Sequence, residues 1–224
     1  MGVPAYEYPG GTLWSAMAAL PPGSLVVVDP ADGPGAAADP TYVTAVDRLR
    51  RHGVDVLGYV TTGYGRHSAD QMIGQATSYQ RWYGLTGIFL DQTPSSSSSN
   101  RAIVATAEHL RAEQMQVAIN PGQPAIDPGD AHMADLVVTF EGSLASYRRA
   151  RFPRWMSEFP AERFWHLVYD VGDVASMRDV LRGAARQRAG VVLVTDAGMP
   201  NPWGRLPAYW DDELAVVSRT FTAR

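Results

Sequence analysis

Two residue types are missing from this 224-residue chain: it has no cysteine, and all 19 of its basic residues are arginine, so it has no lysine either. The first absence removes disulfides, thiolate nucleophiles and thiolate-bound zinc or iron–sulfur sites, and leaves the redox compartment unreadable. The second removes Schiff-base chemistry, pyridoxal phosphate attachment and the phosphate-binding lysine of a Walker loop. Histidine is sparse: five residues, at 52, 67, 109, 132 and 166, show no H-x-H or H-E-x-x-H spacing, so neither a metal nor any other cofactor is expected. Two of them fall near helix C-termini, and His166, opening a strand, is expected to be buried rather than catalytic. No G-x-S-x-G turn presents a serine nucleophile, and PGGTLW lacks the G-x-G-x-x-G spacing of a dinucleotide-binding turn.

Charge of one sign is also scarce. A formal net charge of -4 offers no broad attraction to phosphate backbones or anionic lipid, so neither nucleic acid nor membrane is an expected partner. No apolar run approaches the roughly 18 residues of a membrane span. The opening MGVPAYEYPGG has no basic region followed by a hydrophobic run, so no signal peptide is read there, and the compartment stays unassigned between secreted and cytoplasmic. A monomer with one domain over 1–224 is the expectation for a chain of this length.

What is present is a repeating alternation. Eight short apolar segments end in polar or turn residues: Val3–Pro9, Ser24–Pro30, Val54–Val60, Leu85–Gln92, Met115–Gly122, Leu136–Gly142, Phe164–Val171 and Gly190–Gly198. Runs such as LVVVDP, GIFLDQ and LVVTFEG are almost continuously hydrophobic, as parallel strands buried on both faces should be. Helical patterns lie between them. Asp39-Pro40 opens one that stops at Gly53, Ser68 and Gly84 bracket the next, and NRAIVATAEHLRAEQ and DVASMRDVLRGAARQRAG repeat the plan. LWSAMAAL and YWDDELAVVSRTF supply the first and last, while the segments after the fifth and sixth strands look short or irregular. This pattern predicts an α/β fold, a single (β/α)8 TIM barrel, ahead of an open doubly wound sheet. PSSSSSN at 94–100 reads as a flexible loop over the mouth of the fourth strand.

In such a barrel the site lies at the carboxyl ends of the strands. Reading round gives Tyr6 and Tyr8, Asp29, Tyr59, Asp91 and Gln92, Asn120, Glu141, Tyr169 and Asp170, then Asp196. Any one carboxylate there can equally cap a helix or a turn. Asp91 after GIFL and Glu141 after VVTF stand apart because strongly apolar strands fix the backbone beneath them. Two strands apart on the ring, they can face one another across a substrate, and paired carboxylates split their pKa values into an acid and a base or nucleophile. That is the equipment of glycoside hydrolysis. Tyr6, Tyr8, Tyr59, Tyr64, Tyr169 and Trp203 add rings able to stack on sugar faces, although each ring by itself is more often packing. Trp14, Trp82, Tyr83, Trp155 and Trp210 are assigned to packing.

VPAYEYPGG, DPADGPG followed by DPTYVTAVDRLRRHGVDVLGYVTTGYG, YQRWYGLTGIFLDQ, INPG and FEG, in that order, resemble the spherulin 4 family over Val3 to about Asp196. The resemblance implies a TIM barrel and a carbohydrate substrate, since the family includes fungal glycoside hydrolases acting on galactosamine-rich polysaccharide. It implies that Asp91 and Glu141 are the catalytic acids of a retaining mechanism, with Asp91 the nucleophile and Glu141 the acid/base, or the roles exchanged. It also exposes a departure: where the fungal hydrolases have a second acid directly after the Asp, this chain has Gln92, which cannot transfer a proton at neutral pH. Two readings therefore stand: a glycosidase for an α-linked, amino-sugar-containing glycan, and a sugar-binding or repurposed barrel that has lost hydrolysis. The family's NPANGPG appears as DPADGPG, bringing Asp29 and Asp32 to the mouth, where a cationic amino sugar would be favoured.

Overall fold

The computed structural model describes residues 1–124 and 126–220. Eight strands, β1 (Gly2–Ala5), β2 (Leu25–Val28), β3 (Asp55–Thr61), β4 (Gly87–Asp91), β5 (Gln116–Ile119), β6 (Leu136–Ser143), β7 (Phe164–Tyr169) and β8 (Val191–Val194), pair in parallel in sequence order. β8 returns beside β1, so the sheet curls into a nearly closed barrel. The helices are α1 (Thr12–Ala16), α2 (Pro40–Arg51), α3 (Ala69–Tyr83), α4 (Arg101–Ala112), α5 (Pro128–Met133), α6 (Leu144–Tyr147), α7 (Val174–Arg186) and α8 (Trp210–Thr220). The elements after β5 and β6 are six and four residues long, in line with the weak helical pattern there.

Local sequence explains the boundaries. Asp39 caps α2 by accepting the N–H groups of Thr41 and Tyr42, and Pro40 sets the first helical φ. Ser68 and Gln71 close a capping box on α3, which ends on left-handed Gly84. α7 buries Met177, Val180, Leu181 and Ala184, one stripe at helical spacing against the sheet. The serine run departs from expectation. Rather than an open loop it forms a 3-10 turn, with Ser97 buried and the Ser98 N–H donated to Asp130 Oδ1 at 2.7 Å.

Side-chain alternation fills the barrel. Phe89 on β4 and Trp165 on β7 meet edge to face inside it, with centroids 5.6 Å apart. Gly2 leaves the space the indole needs, since a Cβ there would sit 2.4 Å from the Trp165 ring. Outward residues meet the helices: Gly58 lies under the Tyr79 ring of α3. His166, outward on β7, is buried among Tyr147, Phe140 and Phe152; Tyr147 bonds its Nδ1 at 3.0 Å, and burial lowers its pKa to about 3.

The charged stretch opening α8 looks solvent-facing, yet Glu213 is fully buried and accepts the Val194 N–H at 2.7 Å. Burial raises its pKa from 4.5 to about 8. Between those values the folded chain holds a proton that the unfolded chain has released, so stability falls as pH rises through this window. Glu213→Gln keeps the acceptor and removes the titration. The variant should melt higher than the parent at pH 8, by at least about 2–4 °C, the equivalent of about 1 kcal/mol, with the gap closing toward pH 5. Parallel melting curves across that range would contradict this.

Candidate active site

The carboxyl end of the barrel collects the chemistry. Asp91 closes β4, Asn120 follows β5 and Glu141 stands on β6. The Asn120 Nδ2 amide donates one hydrogen bond to Asp91 Oδ1 at 2.7 Å and another to Glu141 Oε2 at 2.6 Å. Because one nitrogen holds both oxygens, their separation cannot exceed the sum of the two distances, about 5.3 Å. Trp203, from the loop after β8, donates its indole N–H to Glu141 Oε1 at 3.1 Å, so both Glu141 oxygens are engaged.

Glu141 faces the lumen because β6 is irregular. Val138 pairs with Trp165, but the next partner of His166 is Phe140, leaving Thr139 as an extra residue. In an unbroken strand Val138 and Phe140 would share the inner face and Glu141 would point outward. The bulge instead turns Phe140 to the His166 cluster and Glu141 inward beside Leu167.

Burial raises both carboxyl pKa values, and hydrogen bonds restrain the rise. Asp91 is the better supported as an anion: the Gln92 backbone, Asn120 and the Tyr59 hydroxyl all donate to it. Glu141 has Asn120 and Trp203, and the Asp91 charge pushes it further upward. The pair titrates as a unit, with the proton favoured on Glu141. The Tyr6 phenol, desolvated and facing both carboxylates, is held well above its ordinary pKa.

A cavity of about 270 Å3 opens over these groups, lined by Tyr6, Phe89, Asp91, Asn120, Glu141 and Leu167, with Met199 to Trp203 as a side wall. For scale, a cavity of about 150 Å3 takes a bare six-membered ring. One substituted sugar ring fits the space; a chain must continue outside it. A larger groove of about 490 Å3 lies on the outer surface between α1 and α2, but no carboxylate lines it. Among the described residues no group of His, Cys, Asp or Glu could hold a metal ion.

The other sequence candidates divide. Tyr59 packs edge to face on Tyr6, with centroids 5.8 Å apart, and Tyr169 packs on Trp203 at 6.2 Å, so both buttress the site. Asp29 faces inward from the end of β2; burial, then Asp32 and Asp91, raise its pKa to about 6 against the pull of the Gly33 N–H. Gln92 turns its Oε1 to the Thr61 hydroxyl at 3.1 Å. Four candidates are not gathered there. Asp196 is a loop strut, paired with Arg205 and accepting the Ala208 N–H. Tyr8 bonds Asp39 at the start of α2, and Asp170 is exposed beside Gly198. Tyr64 projects into solvent. Asn120 was legible only as a polar strand end, not as a bridge between acids.

Relatives of known structure share this fold. Spherulin-4 of Physarum polycephalum is 31% identical over 231 residues, covering 96% of this chain and 69% of that protein. Aspergillus clavatus Sph3, solved in complex with GalNAc, superposes with a TM-score of 0.82 at 22% identity over 97% of this chain and 96% of its own. A GH18 chitinase from Pseudoalteromonas aurantia follows at 0.60 and 11% identity, covering 98% of this chain and 99% of the chitinase. These likenesses establish the TIM-barrel fold. The model of spherulation-specific family 4 matches residues 1–217, and the chain belongs to that family.

Proposed function

We propose that the protein is a retaining glycosidase that cleaves an α-linked, galactosamine-containing glycan, with Asp91 as nucleophile and Glu141 as acid/base. The observation that carries this is the Asn120 amide bridging the two carboxylates, which keeps their facing oxygens within about 5.3 Å of each other and so supports the close spacing of a retaining pair, roughly 5–5.5 Å, over the 6.5–9.5 Å of an inverting one. Asp91, richer in donors, attacks the anomeric carbon. Glu141 gives its proton to the leaving oxygen and later takes one from the water that releases the sugar. Tyr6, Tyr59, Tyr169 and Trp203 shape the pocket, while Asp29 and Gln92 offer polar contacts at its rim. Sph3's complex with GalNAc supports a sugar of this class as the occupant. No cofactor enters this scheme.

Gln92 favours a second reading, a barrel that binds the glycan without cutting it. Incubation with α-1,4-linked galactosamine polymer, N-acetylated and deacetylated, decides between them. Release of new reducing ends is expected; retention of the polymer on the protein without cleavage would establish the binding reading instead.

A further inference from the structure

Tyr64 is the feature of the barrel mouth that folding does not explain. Its ring is 63% exposed, its hydroxyl makes no hydrogen bond among the described residues, and its contact is the Arg66 guanidinium 5.8 Å from the ring centroid. Tyr8, nearly as exposed, has a structural duty in its bond to Asp39. Tyr64 also sits at φ +58 between Gly63 at +57 and Gly65 at +79, three successive left-handed residues where glycine would be the unstrained choice in the middle as well.

The turn is nonetheless rigidly held. Thr61 and Thr62 cap the N–H groups of Gly63 and Gly65, His67 bonds back to the carbonyls of Thr61 and Thr62, and Asn100 holds the Gly65 carbonyl. The same turn hangs on the catalytic strand. Thr62 donates its N–H to the Asp91 carbonyl at 2.9 Å and its hydroxyl to the Gln92 carbonyl at 2.7 Å. A strained, solvated aromatic ring is therefore mounted on the same rigid piece as Asp91, on the β3 side. Thr61 pairs with Asp91 at the carboxyl ends of β3 and β4, so this turn rises from the rim of the same barrel mouth.

We propose that Tyr64 is a remote sugar platform, stacking a ring of an oligosaccharide whose cleaved end occupies the cavity, so that the site recognises chains rather than single sugars. This rests on the glycan reading above. Its test compares Tyr64→Gly and Tyr64→Phe with the parent in calorimetric binding of N-acetylgalactosamine oligosaccharides of two and six residues. In the parent the hexamer binds more tightly than the dimer. In Tyr64→Gly that advantage falls by about three- to tenfold, Tyr64→Phe keeps it, and the melting temperature of Tyr64→Gly is equal to or above the parent's. An undiminished advantage in Tyr64→Gly, or a lower melting temperature, overturns the platform while leaving the glycosidase reading intact. Loss of the advantage in a protein that binds but never cleaves upholds the platform and overturns hydrolysis. Absence of oligosaccharide binding by the parent overturns both.

Discussion

Asp91→Asn and Glu141→Gln should each lower the rate of reducing-end release by about a hundredfold to ten-thousandfold, the span usual for a positioned acid or base. Neither should unfold the barrel. Both carboxyls are raised by burial, so a neutral amide of the same shape avoids the desolvation that opposes their charge, which offsets the hydrogen bond lost where the new NH2 meets a donor, and the melting temperature is expected to stay near the parent's. The two variants should also differ. With an aryl glycoside, whose leaving group needs no proton, Glu141→Gln recovers much of the first step while Asp91→Asn does not. The opposite recovery would exchange their roles, and a large drop in melting temperature for both would make them structural carboxylates.

Asn120→Ala is expected to cost about a hundredfold in kcat/KM without touching either carboxylate. Its amide supplies a donor to each, and those bonds stabilise the charged forms. Losing them raises both pKa values, so the acid limb of the pH profile should move toward neutrality, by roughly one unit if each bond is worth about 1.5 kcal/mol. The separation of the acids loosens at the same time. Were Asn120 instead only a contact to the sugar, KM would rise and the limb would stay where it is. Measuring kcat/KM from pH 4 to 9 distinguishes the two.

The eight strands and their spacing were readable because each is a buried apolar run closed by a turn residue, and the helices because Asp39, Ser68, Gly84 and their like mark the ends. Asp91 and Glu141 were readable as acids at strand ends. How Glu141 comes to point inward was not, since the Thr139 bulge leaves no trace in local composition and strict alternation would have turned the side chain outward. The Trp203 bond to Glu141 joins residues 62 apart through a loop whose path no periodicity encodes. Asp196 misled for a related reason. A carboxylate after a strand looks the same in sequence whether it faces the lumen or braces its own loop, and here Arg205 and the Ala208 N–H claim it. Glu213 and Asp130 were invisible as buried acids because they lie within polar stretches whose buried side only packing defines.

The claim that one amide clamps two acids into a retaining pair is tested most directly by proton NMR of the first sugar released from an α-linked galactosamine oligomer, recorded before mutarotation. Early accumulation of the α-anomer is the predicted result. Early accumulation of the β-anomer would mean single-step inversion and would contradict the account, however close the carboxylates lie.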